Sequence, residues 1–93
     1  FNELFLFVQT IQCMYIAYVL RSEKTGKHYY GHSKNLENRL KSHNSGKVRS
    51  TKSGRPWIVI YSEVFDSKSE AYRQEMFFKS KAGYAYLKQK DII

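Results

Sequence analysis

Apolar and polar positions change period several times along this chain, and each change marks an element. Tyr15-Ile16-Ala17-Tyr18-Val19-Leu20 is β-branched and aromatic, which predicts a strand. The polar run Ser22 to Lys27, with Gly26 inside it, predicts a turn, and His28 to His32 the returning strand of a hairpin. A register that pairs odd with even residue numbers sets Tyr18 and Tyr29 on one face, and a one-residue slip parts them. Leu36 and Leu40 then recur at helical spacing behind Ser33 or Asn35 as cap, with Gly46 as the stop. Lys47 to Arg55 has no period and reads as a basic loop closed by Pro56. Trp57 to about Phe65 returns to a strand pattern. Ser67-Lys68-Ser69-Glu70 is a capping box opening a helix whose apolar side holds Ala71, Tyr72, Phe78 and Ala82. Gly83 is expected to end that helix, with a short final one over Tyr84 to Lys90. The fold class is therefore α/β, a small three-stranded, mainly antiparallel sheet flanked by helices.

The chain has 93 residues, room for one domain, and its 42% hydrophobic content supports a compact core. Sixteen Lys and Arg against eight acidic residues give a net charge of +8, which favours an anionic partner, nucleic acid before membrane. A peripheral membrane role is disfavoured because the chain lacks a helix with one basic and one bulky apolar face. Cys13 is the only cysteine, so no intrachain disulfide forms, and a reducing, cytoplasmic setting is expected. With His28, His32 and His43 it does not make zinc-finger spacing. Residues 1–13 are expected to be a non-native or upstream extension ahead of a start at Met14.

Glu75 stands out within the second helix. It lies three residues past Tyr72, four past Ala71 and three before Phe78, inside the apolar stripe. A carboxylate there needs a cation, a donor or a metal, and an ion pair to Arg39 or a nearby lysine would satisfy it as well as a metal would. Arg39 and His43 form an i,i+4 pair beside the Leu36–Leu40 stripe, and a guanidinium can hold two phosphate oxygens. His32 titrates near neutrality when unperturbed and could pass a proton. Both histidines also fit ordinary exposed positions. Tyr18 and Tyr29 by themselves fit a core or sheet surface.

Taken in order, Ile16-Ala17-Tyr18, Tyr29-Tyr30-Gly31, Arg39 and Glu75 resemble the GIY-YIG nuclease domain, from Tyr15 to about Leu87. The likeness is to the small single-domain members, which look like the catalytic module of the nucleotide-excision-repair nuclease, the excinuclease. Ile16 stands where the family has glycine, and Ala17 and Tyr30 where it has isoleucine; both tyrosines and Gly31 are kept. The resemblance implies a GIY-YIG endonuclease fold and hydrolysis of DNA phosphodiester bonds by nicking, with a role in repair or recombination. It implies that Glu75 holds one Mg²⁺, for which Mn²⁺ could substitute, and that Arg39 binds the scissile phosphate region. Tyr18 would help deprotonate the attacking water, aided by His32, while Tyr29 and His43 orient the site. Lys41, Lys47, Arg49, Lys52 and Arg55 are expected to track the DNA backbone outside it. The expected partner is DNA, branched and single-stranded forms included, met by a monomer or weak dimer. The rival is a non-catalytic nucleic-acid-binding module on the same fold. It explains the charge but not Glu75.

Overall fold

The computed structural model describes residues 14–93; the expected extension over residues 1–13, Cys13 included, lies outside them. Strands β1 (Tyr15–Ser22), β2 (His28–Ser33) and β3 (Trp57–Phe65) form one antiparallel sheet in the order β2-β1-β3. Helix α1 (Leu36–Ser45) lies between β2 and β3 in sequence, and α2 (Lys68–Phe78) and α3 (Lys81–Gln89) follow β3.

Strand β1 is central and buried on both faces, so its alternating side chains build two cores. Tyr18 and Leu20 join Trp57 on one face, packed with Ile16, Tyr29 and Val59 and with Leu36 and Leu40 of α1. Ala17 and Val19 join Phe78 of α2 and Leu87 of α3 on the other, with Tyr30, Phe77 and Tyr86 around them. The sheet therefore divides the molecule into an α1 side and an α2–α3 side. In β3, Val19 pairs with Tyr61 but Leu20 with Val59, so Ile60 is an extra residue at a bulge.

The hairpin forms as its pattern predicts, with Gly26 at φ 77° in the turn and β2 one residue longer than expected. The Ser22 hydroxyl, almost fully buried, accepts from the Lys24 and Thr25 amides and donates to Gly54 O, which ties the turn to the segment before β3. Asn35 caps α1 by accepting from Asn38 N, while Ser33 hydrogen-bonds Asn35 instead of capping. Gly46 ends α1 at φ 86°.

Two expectations need correction. The segment Lys47 to Arg55 is not a plain loop, because Arg49–Gly54 winds into a 3-10 turn. Trp57 organises it: its indole donates to Thr51 O at 2.8 Å, and its backbone exchanges hydrogen bonds with the Asn44 side chain at 2.7 and 3.0 Å. The second correction concerns the last helices. α2 ends at Phe78, and Ser80 caps a separate α3 by accepting from Gly83 N. Gly83 is thus inside a helix, not at its end. A β-carbon there would run into the Phe77 carbonyl oxygen, so glycine allows the α2–α3 corner to close. Ala82 faces solvent instead of the core because the chain turns before it, and Tyr72 is half exposed against His32.

Candidate active site

The register places Gly31, not Tyr29, directly opposite Tyr18, and both tyrosines remain on the α1 face, two residues apart along the hairpin. Gly31 is needed there. A β-carbon at Gly31 would stand 2.5 Å from the Tyr18 phenol oxygen, so the missing side chain is the space through which that phenol passes. The second tripeptide's glycine therefore serves the first tripeptide's tyrosine.

Tyr18 is 1% exposed and its phenol lies 3.1 Å from His43 Nε2. His43 is fully buried, with its Nδ1 2.8 Å from the Thr51 hydroxyl. Tyr29 packs edge-on to the His43 ring at 4.8 Å between centroids and toward Trp57 at 6.3 Å. Arg39, one helical turn before His43, lies near both phenols, and the closeness of Tyr18 first, then of Tyr29, strengthens its hold on its own proton. Burial pushes the Tyr18 phenol up to about 12, with Tyr29 and Glu75 adding to the rise and Arg39 opposing it. Burial, helped by the Arg39 charge, brings His43 down to about 4. At neutral pH this side of the site therefore holds a neutral phenol against a neutral imidazole.

The other half sits across the sheet. Glu75 is 9% exposed on α2; its Oε1 accepts from His32 Nδ1 at 2.7 Å and its Oε2 from Lys79 Nζ at 2.8 Å. The alternative ion pair to Arg39 is not made; the lysine one turn along the same helix takes that place. Because a carboxylate only accepts, His32 Nδ1 carries a proton. His32 also meets Tyr72 edge-on at 5.7 Å.

The two halves converge at the free edge of β2. A cleft of about 450 Å³ there is lined by Tyr15, His32, Ser33, Lys34, Arg39 and Lys68, with no carboxylate in its wall. Tyr18, Tyr29, Arg39 and His43 thus form one group and His32 with Glu75 another, with His32 and Arg39 both opening into the cleft. His32 contacts Glu75 and not Tyr18, which sets it apart from the shared proton role expected of it. Of the expected backbone-tracking cations, Lys41 and Lys47 line a smaller cleft with Asn38 and Ser42, and Arg49 and Lys52 are exposed on the 3-10 turn. Arg55 is turned back, donating from Nε to Lys52 O and packing against Gly46.

Sequence reasoning missed Thr51, Lys79, Lys34 and Lys68. Lys79 carried a signal, its i,i+4 spacing from Glu75. Thr51 carried none, because nothing in a run of small polar residues distinguishes the one that folds inward.

Among the described residues, no three His, Cys, Asp or Glu side chains gather to cage a metal. The fit to Mg²⁺ rests on Glu75 alone, a hard oxygen donor beside a cleft open to water. Lys79 is 46% exposed and can release Oε2 into solvent. One carboxylate, retained waters and substrate phosphate are a sufficient set for Mg²⁺.

The hairpin tyrosines stand behind Arg39 and the buried glutamate behind His32, and these two side chains open into one cationic cleft. The model of the GIY-YIG catalytic domain matches residues 14–86, so this chain belongs to the GIY-YIG family, a family of nuclease domains. Its relatives include the UPF0213 protein SAG0778 of Streptococcus agalactiae, 41% identical over 68 residues, covering 69% of this chain and 77% of that protein. The UPF0213 protein SH2523 of Staphylococcus haemolyticus is 45% identical over 53 residues, which is 56% of this chain and 65% of that one, just under two thirds of its length. The solution structure of the UPF0213 protein BH0048 from Bacillus halodurans aligns over 82% of this chain and 83% of that one, at 29% identity and a TM-score of 0.49. Among the described residues, no helix is long and apolar enough to cross a membrane.

Proposed function

We propose that this domain is a Mg²⁺-dependent endonuclease that nicks DNA. The observation that carries this reading is the meeting of Arg39 and His32, backed by Tyr18 and Glu75 respectively, at one carboxylate-free cationic cleft. A phosphodiester is anionic, and a cleft walled by Lys34, Arg39 and Lys68 attracts it without repulsion. Arg39 would hold the scissile phosphate and offset the charge that grows on it in the transition state.

Proton transfer is constrained by magnitude. Burial raises the Tyr18 phenol to about 12 and lowers His43 to about 4, so both shifts oppose a separated phenolate–imidazolium pair at rest. The neutral phenol, not a resting phenolate, is therefore the form proposed to act. The reading is a concerted one: Tyr18 takes the proton of the attacking water as it passes its own to His43 Nε2. A bound phosphate assists this step by neutralising Arg39, one of the two causes that keep His43 from protonating. Glu75 would hold Mg²⁺, with His32 fixing one of its oxygens; the ion supplies polarisation of the phosphate and stabilisation of the leaving oxygen, and Mn²⁺ suits the same oxygen ligands. Tyr29 packs His43 in place. Lys41, Lys47, Arg49 and Lys52 give salt-sensitive backbone contacts.

With a single site per chain, a monomer or weak dimer nicks one strand per encounter. Such an enzyme suits a cytoplasmic role in DNA repair or recombination, where branched and single-stranded DNA arise. Purified protein incubated with labelled single-stranded, duplex, nicked and branched DNA, with Mg²⁺ or EDTA, tests the reading. Metal-dependent nicking that is absent from Glu75→Gln is the expected result. Binding to every substrate with no cleavage, in Mn²⁺ as in Mg²⁺, would favour the binding-module rival.

A further inference from the structure

We propose that Thr51 is a positioning residue for DNA cleavage, fixing the tautomer of His43 so that Nε2 is left bare to receive the Tyr18 proton. The inference rests on the cleavage reading above and adds to it a residue with no titratable group.

Protons can be counted along one buried series of groups. Tyr18 has a single O–H, and the nearby Arg39 guanidinium can only donate, so it offers that proton no acceptor. The phenol proton is thereby free to point at His43 Nε2, 3.1 Å away. A neutral imidazole that accepts at Nε2 must carry its proton on Nδ1, which lies 2.8 Å from Thr51 Oγ1. Thr51 can accept that proton only if its own hydroxyl donates elsewhere. It has such an acceptor, because its Oγ1 donates back to Val48 O at 3.3 Å, one 3-10 turn earlier. Every donor in the series Tyr18, His43, Thr51, Val48 O then points the same way.

Thr51 is itself held. It is 1% exposed, its amide donates to Val48 O at 3.1 Å, and its carbonyl accepts the Trp57 indole at 2.8 Å. The groups that face the His43 ring are Tyr18 from β1, Tyr29 from β2, Arg39 from α1 itself and Thr51 from the 3-10 turn. Thr51 is the one placed to set Nδ1. This gives the 3-10 turn a purpose that its sequence hides: it carries a hydroxyl to the back of the imidazole.

The test is two-bond ¹H–¹⁵N correlation of His43 at neutral pH in wild type, Thr51→Val and Thr51→Ser, beside single-turnover cleavage with Mg²⁺. Valine keeps the shape and removes the hydroxyl; serine restores it. The expected result is an Nδ1–H tautomer in wild type and Thr51→Ser, and movement toward Nε2–H in Thr51→Val. Cleavage should fall about 100-fold in the valine variant, the scale of a lost general base, and recover in the serine variant. An Nε2–H tautomer in wild type would overturn the proposal without any variant. So would an unchanged tautomer in Thr51→Val, or an altered tautomer with unchanged cleavage. Wild-type protein that cleaves no DNA would remove the nuclease reading and Thr51's role in it, while the tautomer would still show whether Thr51 sets Nδ1.

Discussion

The two sides of the sheet hold their functional groups in opposite ways. On the α1 side, Tyr18, His43 and Thr51 are each no more than 1% exposed and linked end to end by hydrogen bonds. On the α2 side, Glu75 is buried, but one of its partners is a lysine that is 46% exposed, and His32 opens into the cleft. The first arrangement is preorganised, its geometry fixed by packing before any ligand arrives. The second is exchangeable, because an exposed ammonium gives up its ion pair at small cost. A proton path needs fixed distances and a cation site needs a ligand that can be freed, so the contrast follows the division of labour in the proposed reaction.

Perturbing each side should therefore give different signatures. The largest effect is expected from Glu75→Gln, which keeps the volume and removes the charge. Cleavage should fall by about 10³-fold, as when a major electrostatic contributor is deleted, while DNA binding measured by fluorescence anisotropy is kept. Gly31→Ala comes next and strikes the fixed side. Its new methyl must move the Tyr18 phenol, so stability should drop by about 1–3 kcal/mol in urea denaturation, and cleavage should fall with it. Equal stability would mean that the phenol is less fixed than its burial suggests.

A third test uses pH. His43 binds its proton less readily in the folded protein than in the unfolded chain, so the unfolded chain takes up more protons between about 6.5 and 4. Stability is full above about 6.5 and is lost as pH falls toward 4. From the size of the shift the loss is on the order of 2–3 kcal/mol. Urea midpoints compared across that interval should show the decline in wild type and a smaller one in His43→Gln.

The smallest effect is expected from Lys79→Ala on the exchangeable side. Removing an exposed competitor for Glu75 Oε2 should tighten Mn²⁺ binding by no more than about 5-fold, measured by electron paramagnetic resonance, and leave the fold intact. A large loss of stability would make Lys79 a structural partner and contradict the contrast.

Much of this was legible in the sequence because its signals were local. The strand patterns, the Asn35 and Ser67 caps, Gly46 and the burial of Glu75 all follow from spacings of a few residues. The family motif supplied the order of tyrosines, arginine and glutamate. What escaped depends on contacts between distant segments. Gly83 reads as a helix end until the corner against Phe77 is seen. His32, three residues past Tyr29, was already set on the other face by strand alternation, and only its partner Glu75 was hidden. Thr51 is one of several small polar residues before Trp57, and only the folded turn singles it out. The carboxylate's partner fell between these cases: Arg39 and a lysine were both open, and helical spacing favoured Lys79.

The central claim, that a protonated Tyr18 passing its proton to His43 serves as the base for DNA hydrolysis, is tested most directly by Tyr18→Phe. Single-turnover nicking of a labelled oligonucleotide in Mg²⁺ should fall by about 10²- to 10⁴-fold, with DNA binding nearly unchanged and a stability loss of about 1–3 kcal/mol from the unpaired His43 Nε2. Cleavage at the wild-type rate by the phenylalanine variant would contradict it.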